Sequence, residues 1–166
     1  MVKIDKNLEK EDIDYQNHLH ICELVDSAII ENINDIYELV DTETPFNTNH
    51  KNKPVTPELI YVSKNKNGVL LIEETSDPKN KKEQLLKYAK ITHESLQMIA
   101  KTDYPPYLDI FLVVPSEKRS EALDLYREIE TELPTNIGRK RGISIWYYPK
   151  SKKYLKNAGG TFYMSH

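Results

Sequence analysis

The fold is decided by three short runs between residues 57 and 88: PELIYV at 57–62, GVLLIEET at 68–75 and QLLKY at 84–88. The first two runs are apolar and rich in β-branched and aromatic residues, which is typical of strands. The Lys-Asn-Lys-Asn-Gly stretch at 64–68 has the residues of a tight turn, so the two runs predict a hairpin. Each strand carries a carboxylate at one end, Glu58 before the first and Glu73 near the end of the second.

The flanking sequence alternates between helical and strand patterns. Apolar residues at three- and four-residue steps predict amphipathic helices, whereas a nearly continuous apolar run predicts a strand covered on both faces. The predicted elements are a helix over 14–40, a loop over 41–57 with at most a short strand near 37–46, a helix over 79–100, a strand over 107–114, a helix over 116–133 and a strand over 143–148. This order predicts an α/β fold with a mixed central sheet flanked by helices.

Length and composition favour one intracellular domain. A chain of 166 residues with 39% apolar content suits a single core over 1–166, with 1–14 as a flexible arm or short helix. Its longest apolar run is far short of the roughly 18 residues of a membrane helix, and its first residues lack the apolar core of a signal peptide. The single cysteine, Cys22, excludes an internal disulfide. We therefore expect a soluble, cytoplasmic protein without a membrane partner.

Charge is unevenly distributed along the chain. The net charge is -3, yet residues 133–166 contain no Asp or Glu. Basic groups beside aromatic rings suit phosphate contacts combined with base stacking. The candidate nucleic-acid contacts in this segment are Arg139, Lys140, Arg141, Trp146, Lys150, Lys152 and Lys153. The alternative is an ordinary, partly buried strand surrounded by solvated lysines.

The order of the three runs resembles the αβββαβ core of the PD-(D/E)XK, or restriction endonuclease-like, nuclease superfamily. In that family an acidic residue at the start of one strand and a Glu-x-Lys on the next hold a divalent metal. Gln84-x-x-x-Tyr88 resembles the helix motif of the RecB-like branch, and four-residue spacing puts both side chains on one helix face. Two departures are Pro-Glu in place of Pro-Asp, and Thr75 where the family has its lysine.

The resemblance implies a set of ligands for Mg²⁺ or Mn²⁺, which prefer oxygen donors. Glu58 and Glu73 take the positions of the metal-binding pair, and the Glu74 carbonyl could add a ligand. Glu74 also competes with Glu73, because alternation along a strand puts only one of the two side chains on a given face. Glu23 is the candidate for an additional acidic ligand on the first helix, with Asp26 and Glu31 as alternatives.

The lysine missing at Thr75 could come from the following helix, as it does in the cap-snatching endonucleases of segmented RNA viruses. Lys87 and Lys90 are the candidates here, with Lys87 assigned to the catalytic set beside Gln84 and Tyr88. Those endonucleases also have a histidine on an upstream helix, and the candidates in this chain are His18 and His20. The alternative is that both are surface groups, as helix histidines more often are.

The resemblance implies a metal-dependent nuclease that hydrolyses phosphodiesters of DNA or RNA. One alternative is a catalytically degenerate protein of the same fold that binds nucleic acid or a protein partner; another is an unrelated α/β interaction domain. The oligomeric state stays open, a homodimer included.

Overall fold

The computed structural model describes residues 37–40, 45–57, 59–132, 141–149 and 156–160. We number the strands β1 (Tyr37–Val40), β2 (Leu59–Ser63), β3 (Gly68–Glu74), β4 (Tyr107–Pro115), β5 (Arg141–Tyr148) and β6 (Lys156–Gly160). The α-helices are α1 (Lys82–Ala89), α2 (His93–Ala100) and α3 (Arg119–Glu132), and 3-10 turns at Pro78–Lys81 and Ser116–Lys118 lead into α1 and α3. No helix in these ranges is long and apolar enough to cross a membrane.

The six strands form one sheet in which the spatial order follows the order in sequence. β1, β2 and β3 form an antiparallel meander, β3, β4 and β5 run parallel, and β6 returns antiparallel. Short turns can join antiparallel strands, whereas the parallel steps need helical crossovers, which α1 to α3 supply. The predicted α/β fold with a mixed sheet is therefore confirmed.

The turn of the β2–β3 hairpin works differently from the prediction. The residue with a left-handed backbone is Lys66, at φ 63°, rather than an asparagine. Asn65 contributes its side-chain oxygen, which accepts from the Ser63 hydroxyl at 2.8 Å and from the backbone N–H of Asn67 at 3.1 Å. The turn sequence therefore forms a hairpin through asparagine side-chain hydrogen bonds as well as backbone freedom.

Alternation along the strands divides the core between the two faces of the sheet. Leu71, Ile110 and Ile145 belong to a large cluster that includes the buried residues of all three described α-helices, and we call this side the helix-covered face. Leu70 and Phe111 belong to a smaller, aromatic-rich cluster on the opposite side, which we call the second face. In β4 the residues from Leu108 to Val114 are all buried, as predicted for a central strand.

Two predicted helices end differently in the structure. Residues 37–40 form the edge strand β1, so the predicted helix over 14–40 is wrong at its end, and residues 14–36 lie outside the described ranges. The pairing of β1 with β2 replaces the local helical pattern there.

The predicted helix over 79–100 is broken into α1 and α2. Ile91 between them is fully buried and pairs with Thr48, and the Thr92 hydroxyl accepts from the Ser95 N–H at 3.2 Å as the cap of α2. A side-chain cap starts a new helix at this point. β6 was not predicted.

A carboxyl group is buried on the second face. Asp109 of β4 is 3% exposed, and the Tyr37 hydroxyl donates to its Oδ2 over 3.3 Å. Burial raises the pKa of Asp109 to about 7, against the opposing effect of the Tyr37 hydrogen bond. Ionising this group in the folded state is therefore unfavourable.

We predict that stability falls as the pH rises from about 4 to about 7. In this window the native Asp109 keeps a proton that the unfolded chain, with a pKa near 3.9, has lost, so the unfolding free energy decreases by up to about 4 kcal/mol. Asp109→Asn should lack this pH-dependent decrease in unfolding free energy and should be more stable than the parent at pH 8. Urea unfolding at several pH values measures both. Parallel pH profiles for the two proteins would contradict the prediction.

Candidate functional site

Glu73 lies on the helix-covered face at the carboxyl end of β3. Alternation puts it on the same side as Val69 and Leu71, and its neighbour Glu74 on the other side. Glu73 is only 2% exposed, so its carboxylate is not hydrated by bulk water and needs hydrogen-bond donors inside the protein. Of the two glutamates, Glu73 is therefore the one whose side chain faces the helices.

Tyr88 and Gln84 of α1 supply part of what Glu73 needs. The Tyr88 hydroxyl donates to Glu73 Oε2 at 2.6 Å, and the Gln84 side-chain amide donates to the Tyr88 hydroxyl at 3.1 Å. Tyr88 itself is fully buried. The structure therefore brings together three of the sequence-predicted residues in one hydrogen-bonded chain.

A lysine completes the cluster. Lys81 Nζ lies 3.0 Å from Glu73 Oε1, with 32% of the lysine side chain exposed. Lys81 precedes Gln84 by three residues and Tyr88 by seven, so the three share one face of the 3-10 turn and helix. That spacing was the sequence signal for this lysine.

The described contacts of Glu73 do not include the two lysines proposed from the sequence. Lys90 instead lies beside His50, with its Nζ 3.3 Å from the ring Nδ1. Lys87 directly precedes Tyr88 along α1, and its assignment as a catalytic lysine stays a prediction. We call the set of Glu73, Lys81, Gln84 and Tyr88 the Glu73 cluster.

Thr75 stands where the sequence resemblance led us to expect a lysine, and in the structure it stabilises a turn. It is 7% exposed, and its hydroxyl oxygen accepts from the backbone N–H of Asp77 at 3.0 Å, while its own N–H donates to the Val113 carbonyl at 3.0 Å. These bonds turn the chain out of β3 and into the 3-10 turn Pro78–Lys81. Thr75 thus helps to direct Lys81 back toward Glu73.

The other proposed carboxylate ligands are separated from this cluster or lie outside the described residues. The Glu74 side chain accepts from the Tyr148 hydroxyl at 3.4 Å on the second face, and burial together with the charge of Glu74 raises the pKa of Tyr148. Glu23 and Glu58 lie outside the described ranges. Within those ranges, no group of three or more His, Cys, Asp or Glu side chains is arranged to hold a metal.

The structure also shows a histidine cluster that the sequence did not suggest. His50 is 8% exposed, with its Nε2 2.8 Å from Glu83 Oε1 and Lys90 near its other nitrogen. Because an ammonium can only donate, Nδ1 accepts and Nε2 carries the proton toward Glu83. The hydrogen bond from His50 lowers the pKa of Glu83, and a cavity of about 450 Å³ lies beside the pair. The histidines proposed from the sequence, His18 and His20, lie outside the described residues.

Two of the proposed nucleic-acid contacts fall in the described ranges, and neither belongs to the Glu73 cluster. Arg141 is half-buried and donates to the Ala89 carbonyl at the end of α1 over 2.7 Å, and burial lowers the pKa of its guanidinium. Trp146 packs on Phe111 of the second face, with 5.1 Å between ring centroids. The remaining candidates lie outside the described residues: Arg139, Lys140, Lys150, Lys152 and Lys153.

The chain matches no protein-family model, and no curated protein or solved structure is significantly similar to it. The function proposed below therefore rests on the geometry of the described residues.

We predict strong energetic coupling inside the Glu73 cluster. Tyr88→Phe leaves a buried carboxylate oxygen without its donor, so it should lower the unfolding free energy by about 1 to 3 kcal/mol. Glu73→Gln combined with Tyr88→Phe should cost clearly less than the sum of the single changes in a double-mutant cycle measured by urea unfolding. Additive costs would show that the 2.6 Å contact carries little energy.

We also predict that Arg141 stabilises the fold. Arg141→Ala removes a charge-assisted hydrogen bond to the last turn of α1 and should cost about 1 to 3 kcal/mol of unfolding free energy. The matched control is Arg127→Ala, because that exposed arginine pairs only with Asp124 one turn away, and its loss should cost less than about 0.5 kcal/mol. Equal urea midpoints for parent and Arg141→Ala would contradict this role.

Proposed function

We propose that this protein is a metal-dependent nuclease of the PD-(D/E)XK type, with the Glu73 cluster as its catalytic centre. The described topology supports the proposal: an antiparallel meander β1 to β3, then helix α1, then β4 parallel to β3. With α2 as an addition between α1 and β4, this order is compatible with the βββαβ part of the proposed αβββαβ core. Residues 14–36, proposed for its first helix, lie outside the described ranges.

One observation carries the proposal: Lys81, Gln84 and Tyr88 converge on the carboxylate of Glu73 at the end of a central strand. If Gln84 and Tyr88 only packed in the core, their polar groups would not need to form a hydrogen-bonded chain to Glu73. These three polar side chains, one from the 3-10 turn and two from α1, gather at one strand end and form an arrangement suited to chemistry as well as to packing.

The proposal assigns Glu73, Glu58 and the Glu74 carbonyl as ligands for Mg²⁺ or Mn²⁺. Glu58 is the residue before Leu59, which pairs with Ile72, the residue before Glu73. The donors are all oxygen, which fits these hard cations. When bound, the ion would neutralise developing negative charge and lower the pKa of an attacking water.

Lys81 restores the positive charge that Thr75 cannot supply. In the structure its ammonium neutralises Glu73, and its 32% exposure leaves it in contact with solvent at the rim of the cluster. During hydrolysis, water attacks phosphorus, the bond to the leaving oxygen breaks and that oxygen gains a proton. An ammonium in this place can stabilise the added negative charge on the phosphoryl oxygens. Tyr88, held by Gln84, fixes the orientation of the Glu73 carboxylate.

The second candidate function is nucleic-acid or protein binding by a catalytically degenerate member of the same fold. The observation that favours it is the occupancy of both Glu73 oxygens, one by Lys81 and one by Tyr88, at 2% exposure. A cation could reach this carboxylate only if Lys81 or Tyr88 moved aside. In the degenerate case the cluster would be a buried polar network that orders the end of β3.

We predict Mn²⁺- or Mg²⁺-dependent cleavage of labelled DNA or RNA that is abolished by chelator. Glu73→Gln keeps the side-chain shape but removes the charge, and Lys81→Met keeps the aliphatic stem; each should reduce the rate about a hundredfold or more. Lys118→Met, on the turn before α3, is the matched control and should retain the parent rate, whereas Lys87→Met tests the lysine proposed from the sequence; all rates are measured by gel-resolved product formation.

The outcome of this experiment separates the candidates. Loss of activity in Lys87→Met with retention in Lys81→Met would restore the lysine proposed from the sequence. Folded parent protein that cleaves neither single- nor double-stranded DNA or RNA with either ion would establish the degenerate candidate.

A further inference from the structure

The end of the sheet opposite the Glu73 cluster has a surface of its own. It comprises the β2–β3 turn at 64–67 and the segment 101–107 that leads from α2 into β4, and we call it the tyrosine edge. The two segments touch: the Tyr104 hydroxyl donates to the side chain of Asn67 at 3.2 Å, and the Tyr107 N–H donates to the Asn67 carbonyl at 2.7 Å. Glu73 lies five residues along β3 from Gly68 at this edge, or roughly 17 Å away at 3.3 Å per residue.

Two large aromatic side chains are exposed here. Tyr104 is 53% exposed and Tyr107 is 36% exposed, whereas four other tyrosines are buried: Tyr37, Tyr61, Tyr88 and Tyr148. Both are anchored to Asn67 through the hydrogen bonds given above, so their positions are fixed by the turn. Exposed aromatic rings on a fixed backbone have little conformational entropy to lose when a flat partner stacks on them.

The same surface is positively charged in an acidic protein. Its two segments contain three exposed lysines, Lys64, Lys66 and Lys101, against one acid, Asp103, whereas the whole chain has a net charge of -3. Lys66 and Lys101 have φ of 63° and 55°, a left-handed backbone region that glycine adopts more easily than a residue with a side chain. Lysine therefore occupies two turn positions at which glycine would fold more easily.

We propose that the tyrosine edge binds single-stranded nucleic acid. The rings offer stacking faces for unpaired bases, and the lysines offer contacts for the phosphates between those bases. A duplex fits less well, because its bases already stack on one another. The edges of those bases lie inside the grooves, and two tyrosine rings on a surface turn are poorly shaped to enter a groove. The inference does not require catalysis at Glu73, because it rests on a separate edge of the sheet.

The basic stretch found in the sequence meets this edge at one residue. Arg141, the last of the three residues 139–141, pairs with Leu108, which directly follows Tyr107. Arg141 already donates to the Ala89 carbonyl. We therefore assign the phosphate contacts of the tyrosine edge to Lys64, Lys66 and Lys101.

Binding can be measured by fluorescence anisotropy with labelled oligo(dT) and oligo(rU) 20-mers in chelator, so that cleavage cannot occur. The full chain carrying Lys64→Ala with Lys66→Ala should bind several-fold more weakly at low salt, and the slope of log K against log salt should fall by about 1.4, or 0.7 for each lost phosphate contact. The matched control carries Lys118→Ala with Arg127→Ala, which removes the same charge from the Ser116–Lys118 turn and α3. It should bind like the parent.

Stacking is tested separately at Tyr104. Tyr104→Leu should weaken binding about tenfold, whereas Tyr104→Phe, which keeps the ring and loses only the bond to Asn67, should bind nearly as well as the parent. Thermal melting verifies that each variant is folded.

Three results would overturn the proposal: no binding of either oligonucleotide by the parent at low salt, equal weakening in the two double variants, or equal binding by Tyr104→Leu and the parent. None of these depends on whether the protein cleaves in Mn²⁺, so failure here and failure of the proposed nuclease activity are distinguishable.

Discussion

A carboxylate buried at the end of a central strand is the constraint on which this part of the structure depends. Glu73 is almost entirely removed from water, and an unpaired charge in such a place would cost several kcal/mol. Its two oxygens therefore need an ammonium and a hydroxyl. To bring Lys81 and Tyr88 to one point, the chain must turn sharply after β3 and lay α1 across the sheet at a fixed rotation. The buried charge thus orders the Thr75 turn, the 3-10 turn and the helix that follows.

Tyrosine meets strand carboxylates at three places in the described sheet, with different consequences for charge. Glu73 receives both Tyr88 and an ammonium, and Glu74 receives Tyr148 near the surface of the second face. Asp109 receives a long hydrogen bond from Tyr37 and has no ammonium contact among the described residues, and burial raises the pKa of its carboxyl to about 7. A hydroxyl alone does not offset the desolvation of a carboxylate, whereas an ammonium can. Of these three, only Glu73 combines deep burial with a paired cation.

The sequence predicted the features that local pattern controls. The hairpin around 64–68, the buried strand β4 and the helix face shared by Gln84 and Tyr88 all follow from turn chemistry, hydrophobic runs or helical spacing. The features it missed depend on residues far away in the chain. Helical periodicity extends through residues 37–40, for which the sequence also allowed a short strand, and pairing with β2 is what makes them one. The break between α1 and α2 likewise requires the contact of Ile91 with Thr48, which no local pattern contains.

Lys81 supplies a positive charge to Glu73 from a turn, whereas the resemblance to the nuclease family places a lysine at position 75. A lysine at position 75 would reach the site from the strand itself, but Thr75 uses its hydroxyl to hold the turn at Asp77. That turn returns the chain so that Lys81, six residues later, puts its ammonium 3.0 Å from Glu73. A lysine on a 3-10 turn, with about a third of its side chain in solvent, can leave the carboxylate more easily than one fixed on a buried strand. If the protein is the proposed nuclease, a lysine on the turn would keep Glu73 neutralised at rest and would release it to a cation when Lys81 moved, which a permanently buried pair would not do.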